Sequence, residues 1–265
     1  MKKPLTLVRC VCAALLCLSA PAGAQLAALQ FAADRVPVGQ VLHYVKSARD
    51  GTHTAEISIY VASVDRIEAL KWDRGGSTAT LVTAAMDWPR FSVRGFESWQ
   101  LSRDEAPLRK ATLDVNGDSL SMSFSPDPVK LSHWPWHSYD FDFTSLNLTV
   151  PHLRDPEGGF ALWRTDFVYA DPPRVAELGE VKLEFTGYEQ RGGKRARRYS
   201  IGGAGLADAT GTWWADADTG LLIEYEIPIG DEPGYDDVRL KLRAIERLSP
   251  GQWEDFKLRA TRPAT

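Results

Sequence analysis

Cysteine is the first scarcity. The 265-residue chain has three, Cys10, Cys12 and Cys17, all close to its start. The remainder has no disulfide framework and no thiol nucleophile. Histidine is nearly as sparse, with five in all, and no G-x-S-x-G stretch sets up a serine nucleophile. No uncharged apolar run is long enough to make a membrane-spanning helix. Positive charge is short too: 31 Lys and Arg stand against 35 Asp and Glu, a formal charge of −4. That balance speaks against nucleic acid and anionic membrane as bulk partners.

What is present begins with a leader. Lys2, Lys3 and Arg9 form a positive front, residues 11–18 a short apolar core, and Ala22-Gly23-Ala24 a small-residue cleavage site. This predicts a secretory signal over residues 1–24, cut after Ala24, and a periplasmic or secreted product. A lipid anchor at Cys17 is disfavoured, because no small residue precedes that cysteine. Residues 25–265 then keep 28 basic and 35 acidic groups, a net −7. Their length suffices for one large domain, and no internal repeat or low-complexity linker divides it.

The pattern is that of strands. In residues 211–229, Leu221, Ile223, Tyr225, Ile227 and Ile229 recur at period two against Glu224 and Glu226. Ala217-Asp218-Thr219-Gly220 supplies the turn of a hairpin. The same grammar recurs earlier. Leu42, Tyr44 and Lys46 oppose Val41, His43 and Val45; Ile57, Ile59 and Val61 follow after a turn at 49–52; residues 67–72 make a third strand. Residues 80–86 are uniformly apolar, as in a strand covered on both faces. Residues 91–101 alternate, and Asn116-Gly117 marks a hairpin in which Leu120, Met122 and Phe124 alternate with serines. Strands are also expected at 160–169, 181–188, 197–201 and 238–243. Residues 25–34 are open between a short helix and an extended lead-in. Ser249-Pro250-Gly251-Gln252 is a helix start with a capping box, Trp253 and Phe256 sharing a face. The fold class is therefore all-β: a large curled antiparallel sheet or incomplete barrel with a short C-terminal helix, because so many strands in one open sheet tend to curl, split or close.

Residues 126–159 break the pattern. Five prolines, three histidines and a run of aromatics make a long insertion that is neither disordered in composition nor strand-like. His133 and His137 have helical metal-ligand spacing, with His152 or Asp140 as further donors, but Pro135 disfavours the helix that would align them. Asp140 and Asp142 would point the same way if extended, the bare minimum for paired-carboxylate chemistry. Neighbours on one strand more commonly make a wet edge. Asp216-Ala217-Asp218-Thr219-Gly220 starts like a calcium loop yet lacks its second half. The basic run 191–198 reads as a solvated hairpin tip, with phosphate or anionic-glycan contact as the sharper alternative. No catalytic residue, metal ligand or cofactor motif is assigned.

The segment 211–222, with Trp213-Trp214-Ala215-Asp216, a Thr219-Gly220 turn and Leu221-Leu222, resembles the bacterial periplasmic lipoprotein-carrier-like half-barrels, of LolA and LolB type, and related uncharacterised exported domains. The resemblance implies a strongly curved, incomplete β-barrel whose concavity holds a lipid or acyl chain, with no catalytic residues. From this the expectation is an exported, non-catalytic protein binding an apolar or amphipathic envelope ligand. Trp134, Trp136, Phe143, Trp213, Trp214 and Tyr225 are the candidate ligand contacts. An envelope hydrolase using Asp140, Asp142 and the nearby histidines, or a protein-interaction domain, are the alternatives. Residues 132–153 are expected to fold over one opening of the concavity, as a fixed wall or a mobile lid, with Trp134, Trp136 and Phe143 beneath.

Overall fold

A computed structural model describes residues 22–125, 127–168, 171, 173–229 and 237–261. Residues 1–21, with the three cysteines and most of the predicted leader, fall outside them. Among the described residues fifteen strands form one sheet. In the first wing β1 (Gln40–Ala48), β2 (Ala55–Val61), β3 (Arg66–Trp72), β4 (Thr78–Asp87), β5 (Ser92–Ser102), β6 (Leu108–Asn116), β7 (Ser119–Met122) and β8 (Val129–Lys130) pair in order of sequence. The second wing runs through β9 (Trp136–His137), β10 (Phe160–Val168), β11 (Arg174–Arg191), β12 (Lys194–Gly202), β13 (Thr210–Asp216), β14 (Leu222–Ile227) and β15 (Val238–Arg247). β15 then lies antiparallel against β1 and joins the wings. The two sheet edges, β8 and β9, are therefore neighbours in sequence, and residues 131–135 step from one edge to the other. The sheet is curled but not closed, and every pairing is antiparallel except β9 on β10.

The curl has a local cause. Register shifts interrupt the ladders at His43/Tyr44, Ala85/Met86, Ser98/Trp99, Arg164/Thr165, Phe185/Gly187 and Trp214/Ala215. Each inserts a residue on one side only, which bends the strand and increases its twist. Alternation then sends one row inward: Leu42 and Tyr44, Ile57 and Ile59, Ala84 and Met86 from one wing, Leu183, Tyr199, Ile201 and Trp213 from the other, all in one buried cluster. Each large aliphatic side chain so buried contributes about 1.5–3 kcal/mol relative to exposure.

The outer face carries α3 (Pro250–Ala260). Ser249 accepts from Gln252 N–H and the Gln252 side chain accepts from Ser249 N–H, completing the expected capping box. Trp253 stacks on Tyr60 at 5.2 Å and donates its indole N–H to Glu68 at 2.7 Å, while Phe256 stacks on Trp253. The N-terminal lead-in is α1 (Ala22–Ala27), then a single 3-10 turn at Ala33–Arg35.

Residues 80–86 lie in β4, which buries side chains on both faces: Leu81 outside in the cluster of Trp253, Ala84 and Met86 inside in the main core, with Thr80 exposed at the start of the segment. Two expectations change. In the β13–β14 hairpin the bulge at Trp214/Ala215 breaks the single row read from period two. Leu222 and Tyr225 pair with the inner Ala215 and Trp213, whereas Ile223 packs outside with Trp214 and Ala196. Residues 132–153 are not a cover laid across an opening. They enter the concavity and fill its lower half, where Trp136, Tyr139, Phe143, Leu146 and Leu148 join the main core.

Candidate ligand-binding concavity

The plug is fixed by buried polar groups, each tied to a wall. Asp166 on β10 accepts the Ser138 hydroxyl at 2.6 Å and the Tyr139 and Asp140 N–H groups at 2.9 and 3.2 Å. It also pairs with Arg164 at 2.7 Å. On the opposite wall Lys46 meets Asp142 at 2.9 Å. Tyr139 lies between the two cations, 5.2 Å from Lys46 and 5.3 Å from Arg164. Asp142 and Phe143 both take left-handed backbone, φ 48 and 50, at a cost of roughly 1–2 kcal/mol each for L-residues. The turn aims Asp142 at Lys46 and starts α2 (Thr144–Thr149), in which all six residues are buried.

Asn147 closes a small network. It donates to the Tyr44 hydroxyl at 2.9 Å and accepts from Leu222 N–H at 2.7 Å, while Tyr44 donates to the Leu222 carbonyl at 2.9 Å. Burial raises the Tyr44 pKa far above the usual phenol value, with the Asn147 bond a partial offset. His137 bonds Ser145 Oγ at 2.8 Å, and burial drives its pKa down to about 3. His152 accepts from Ala32 N–H at 3.2 Å and is lowered to about 4, by burial first and by Arg35 second. Both rings are neutral at pH 7.

Above the plug the concavity remains open. Phenylalanines from three elements descend into it: Phe124 beyond β7 lies 5.6 Å from Phe167 of β10, Phe167 is 6.1 Å from Phe96 of β5, and Phe96 is 6.3 Å from Phe141 on the plug. Phe124 is 36% exposed and Phe141 5%. The series therefore leads from solvent to the plug's upper surface. Farther along the same inner rows the register aligns Lys71 with Thr80 and Thr80 with Gln100. These residues, with Asp73, Ser98 and Lys110, border a separate cavity of about 280 Å³. An apolar aromatic series with polar groups of both charges farther along the same rows suits an amphipathic molecule.

The aromatics picked out in sequence are dispersed differently. Phe143, Trp213 and Tyr225 do meet, with Trp213 stacked on Tyr225 at 5.7 Å and Phe143 edge-on to Trp213 at 6.5 Å, and all three are sealed in the core. Trp136 is 1% exposed, and its backbone N–H donates to Ser92 Oγ at 2.9 Å. Trp134 sits half-buried under the Arg90 guanidinium at 4.4 Å. Trp214 is across the sheet, beneath Arg191 at 4.1 Å. Asp140 and Asp142 do not share a side: the segment is a turn rather than a strand, Asp140 is exposed and Asp142 is turned inward. His133 stacks on Trp163 at 3.5 Å, apart from His137 in the plug's interior. The Asp216 carboxylate is occupied by Lys194 and by the N–H groups of Asp218 and Thr219. In the basic run, Arg191 pairs with Glu224 and Glu226, and Arg198 with Glu189.

Sequence reasoning passed over Phe96, Phe167, Arg164 and Asp166. Phe124 had a signal, since it continues the Leu120 and Met122 row. Arg164 and Asp166 alternate on an ordinary strand, and nothing local distinguishes them from a wet face.

No family model matches the chain, and no curated protein does. Among solved structures it is similar to a DUF1329 family protein from Desulfovibrio piger, at 12% identity and TM-score 0.31, covering 85% of this chain and 94% of that one. It is also similar to a putative outer membrane lipoprotein-sorting protein domain from Vibrio parahaemolyticus, at 11% identity and TM-score 0.23 over 85% and 94%. A LolA superfamily protein from Nitrosomonas europaea follows, at 9% identity and TM-score 0.20 over 88% and 97%. These neighbours are of the kind that the 211–222 segment resembles. At such TM-scores the likeness carries no weight in the functional reading.

Proposed function

We propose that this is an exported, non-catalytic protein of the bacterial envelope that holds an apolar or amphipathic ligand, a lipid or acyl chain, in the open upper half of its concavity. The observation that carries the reading is the run of phenylalanines from Phe124 through Phe167 and Phe96 to Phe141. Phe124 is exposed and Phe167 partly so at the mouth of the curled sheet, with Phe96 and Phe141 buried behind them, and apolar surface that leads inward in this way marks binding. Lys71, Lys110 and Asp73 beside them match a zwitterionic head. Export rests on the leader of residues 1–24. The absence of a nucleophile setting in the sequence and the commitment of Asp142 and Asp166 to Lys46 and Arg164 support a binding role over hydrolysis.

In this reading five of the six aromatics named from sequence act at different depths, and Trp214, on the outer face, takes no part. Phe143, Trp213, Tyr225 and Trp136 support the floor from below, and Trp134 braces the segment between the sheet edges. Native mass spectrometry of the protein isolated from the periplasm, with solvent extraction of the same sample, tests the proposal. The wild type is expected to carry lipid, and a Phe124→Ser/Phe167→Ser double variant to carry several-fold less at nearly unchanged melting temperature. A wild type that is exclusively bare, or a double variant with full lipid occupancy, sinks it.

A further inference from the structure

A second cavity lies at the other end of the sheet, where β1 and β12 begin, and it has a different chemistry. Its volume is about 470 Å³. Arg35, Arg154, Lys194 and Arg197 line it, against two carboxylates, Asp34 and Asp218. On a chain of net charge −4 this is a local excess of positive charge.

Most of these cations are held without losing their charge to an acid. Arg35 Nη1 donates to the Pro151 carbonyl at 2.9 Å and Arg154 Nε to the Leu29 carbonyl at 3.2 Å, both neutral acceptors. Lys194 is the exception, paired with Asp216 at 2.8 Å. The Arg197 side chain has no hydrogen bond or ion pair among the described residues, and its Nε is buried without a partner. The floor is apolar, built from Val150, Pro151 and Leu221. It is rigid as well: Gly220, at φ +76, approaches so closely that a Cβ there would stand 2.8 Å from Pro151 Cα.

We infer that this groove binds a phosphate group, carried either by the free ion or by a small phosphorylated amphiphile. Three guanidiniums present forks in fixed planes, and a tetrahedral phosphate offers enough oxygens for several of them at once, whereas a carboxylate satisfies a single fork. An unpartnered buried guanidinium N–H is a donor held ready for such an oxygen. The apolar floor accommodates the remainder of an amphiphile.

Isothermal titration at constant ionic strength tests the inference on the mature protein, with inorganic phosphate, monomeric dihexanoyl phosphatidic acid and acetate as probes. Phosphate is expected to bind and acetate to bind much more weakly. Arg197→Gln should weaken phosphate about tenfold or more, the worth of one charge-assisted hydrogen bond, while leaving the ligand-free melting temperature unchanged because nothing in the fold leans on that side chain. Arg195→Gln, whose guanidinium lies over Tyr188, should bind as wild type. Tighter binding of the phosphatidic acid than of the free ion assigns the site to an amphiphile, and equal binding assigns it to phosphate itself. Absent phosphate binding, equal affinity in wild type and Arg197→Gln, or acetate binding as well as phosphate overturns the inference. The result is independent of lipid in the upper concavity, since Phe124 and Phe167 belong to the other end.

Discussion

Lys46 and Asp142 form a buried ion pair at 2.9 Å between the inner face of the sheet and the plug, with side-chain exposures of 2% and 11%. A pair this deep is weak grounds for net stability, because taking two charges out of water offsets their attraction. Its removal by halves is another matter. Lys46→Met leaves the Asp142 carboxylate buried without its cation and is expected to cost about 3–5 kcal/mol. The double variant Lys46→Met/Asp142→Leu should recover most of that. Urea unfolding of both singles and the double gives the coupling, and additive losses would show that the pair does not anchor the plug.

How much of this was legible before the structure depends on whether the signal is local. Lys46 falls in the Leu42 and Tyr44 row by simple alternation, so its inward direction was readable. Its partner was not, since Asp142 comes from a segment whose prolines masked a turn followed by a short helix. The hairpin at 211–229, the Asn116-Gly117 turn and the capped C-terminal helix were readable because turn chemistry and period two are written in adjacent residues. The bulge that moves Ile223 outward was not, because no residue type there demands one. In the insertion, aromatic content indicated order but said nothing of depth. Whether Phe143 covers a cavity or fills it depends on walls contributed by Lys46, Trp213 and Asp166.

Acid should loosen the plug before it affects the outer face. His137, with a folded pKa of about 3, and His152, at about 4, both lie below the ordinary value of 6.5. The unfolded chain therefore binds more protons between these limits. The stabilisation is fully present above pH 6.5 and is lost as pH falls toward the folded values. For His137 the loss at pH 5 is about 2 kcal/mol, and His152 adds a loss of the same sign. Unfolding free energies at pH 7.5, 6 and 5 should fall along this course. His137→Gln should flatten the slope by close to one proton, whatever it does to stability at pH 7.5, and an unchanged slope would remove His137 from the account.

The depth of Trp136 separates a wall from a lid. At 1% exposure and within the main core, it behaves as a structural ring. Trp136→Ala is expected to cost about 3–5 kcal/mol. Phe124→Ala, at the mouth, should cost far less. Chemical denaturation of the two variants side by side decides this, and a mild Trp136→Ala would mean that the plug leaves the concavity easily in solution.

Asn147 tests whether the plug and the β13–β14 hairpin are one unit. Its side chain satisfies a hydroxyl on β1 and the Leu222 N–H on β14 from a single position inside the curled sheet. Tyr44 supplies the third side by donating to the Leu222 carbonyl. Asn147→Leu preserves volume and removes both bonds, leaving the Leu222 N–H buried with no acceptor, at about 1–3 kcal/mol. Tyr44→Phe in the same background removes the hydroxyl that had lost its donor, so the second substitution should cost less than it does in wild type. Amide exchange is the sharper probe. In wild type the Leu222 amide should exchange only with global unfolding, whereas in Asn147→Leu it should exchange through a smaller opening of the hairpin. Equal protection of Leu222 in both proteins would mean that the plug rests against the hairpin without holding it.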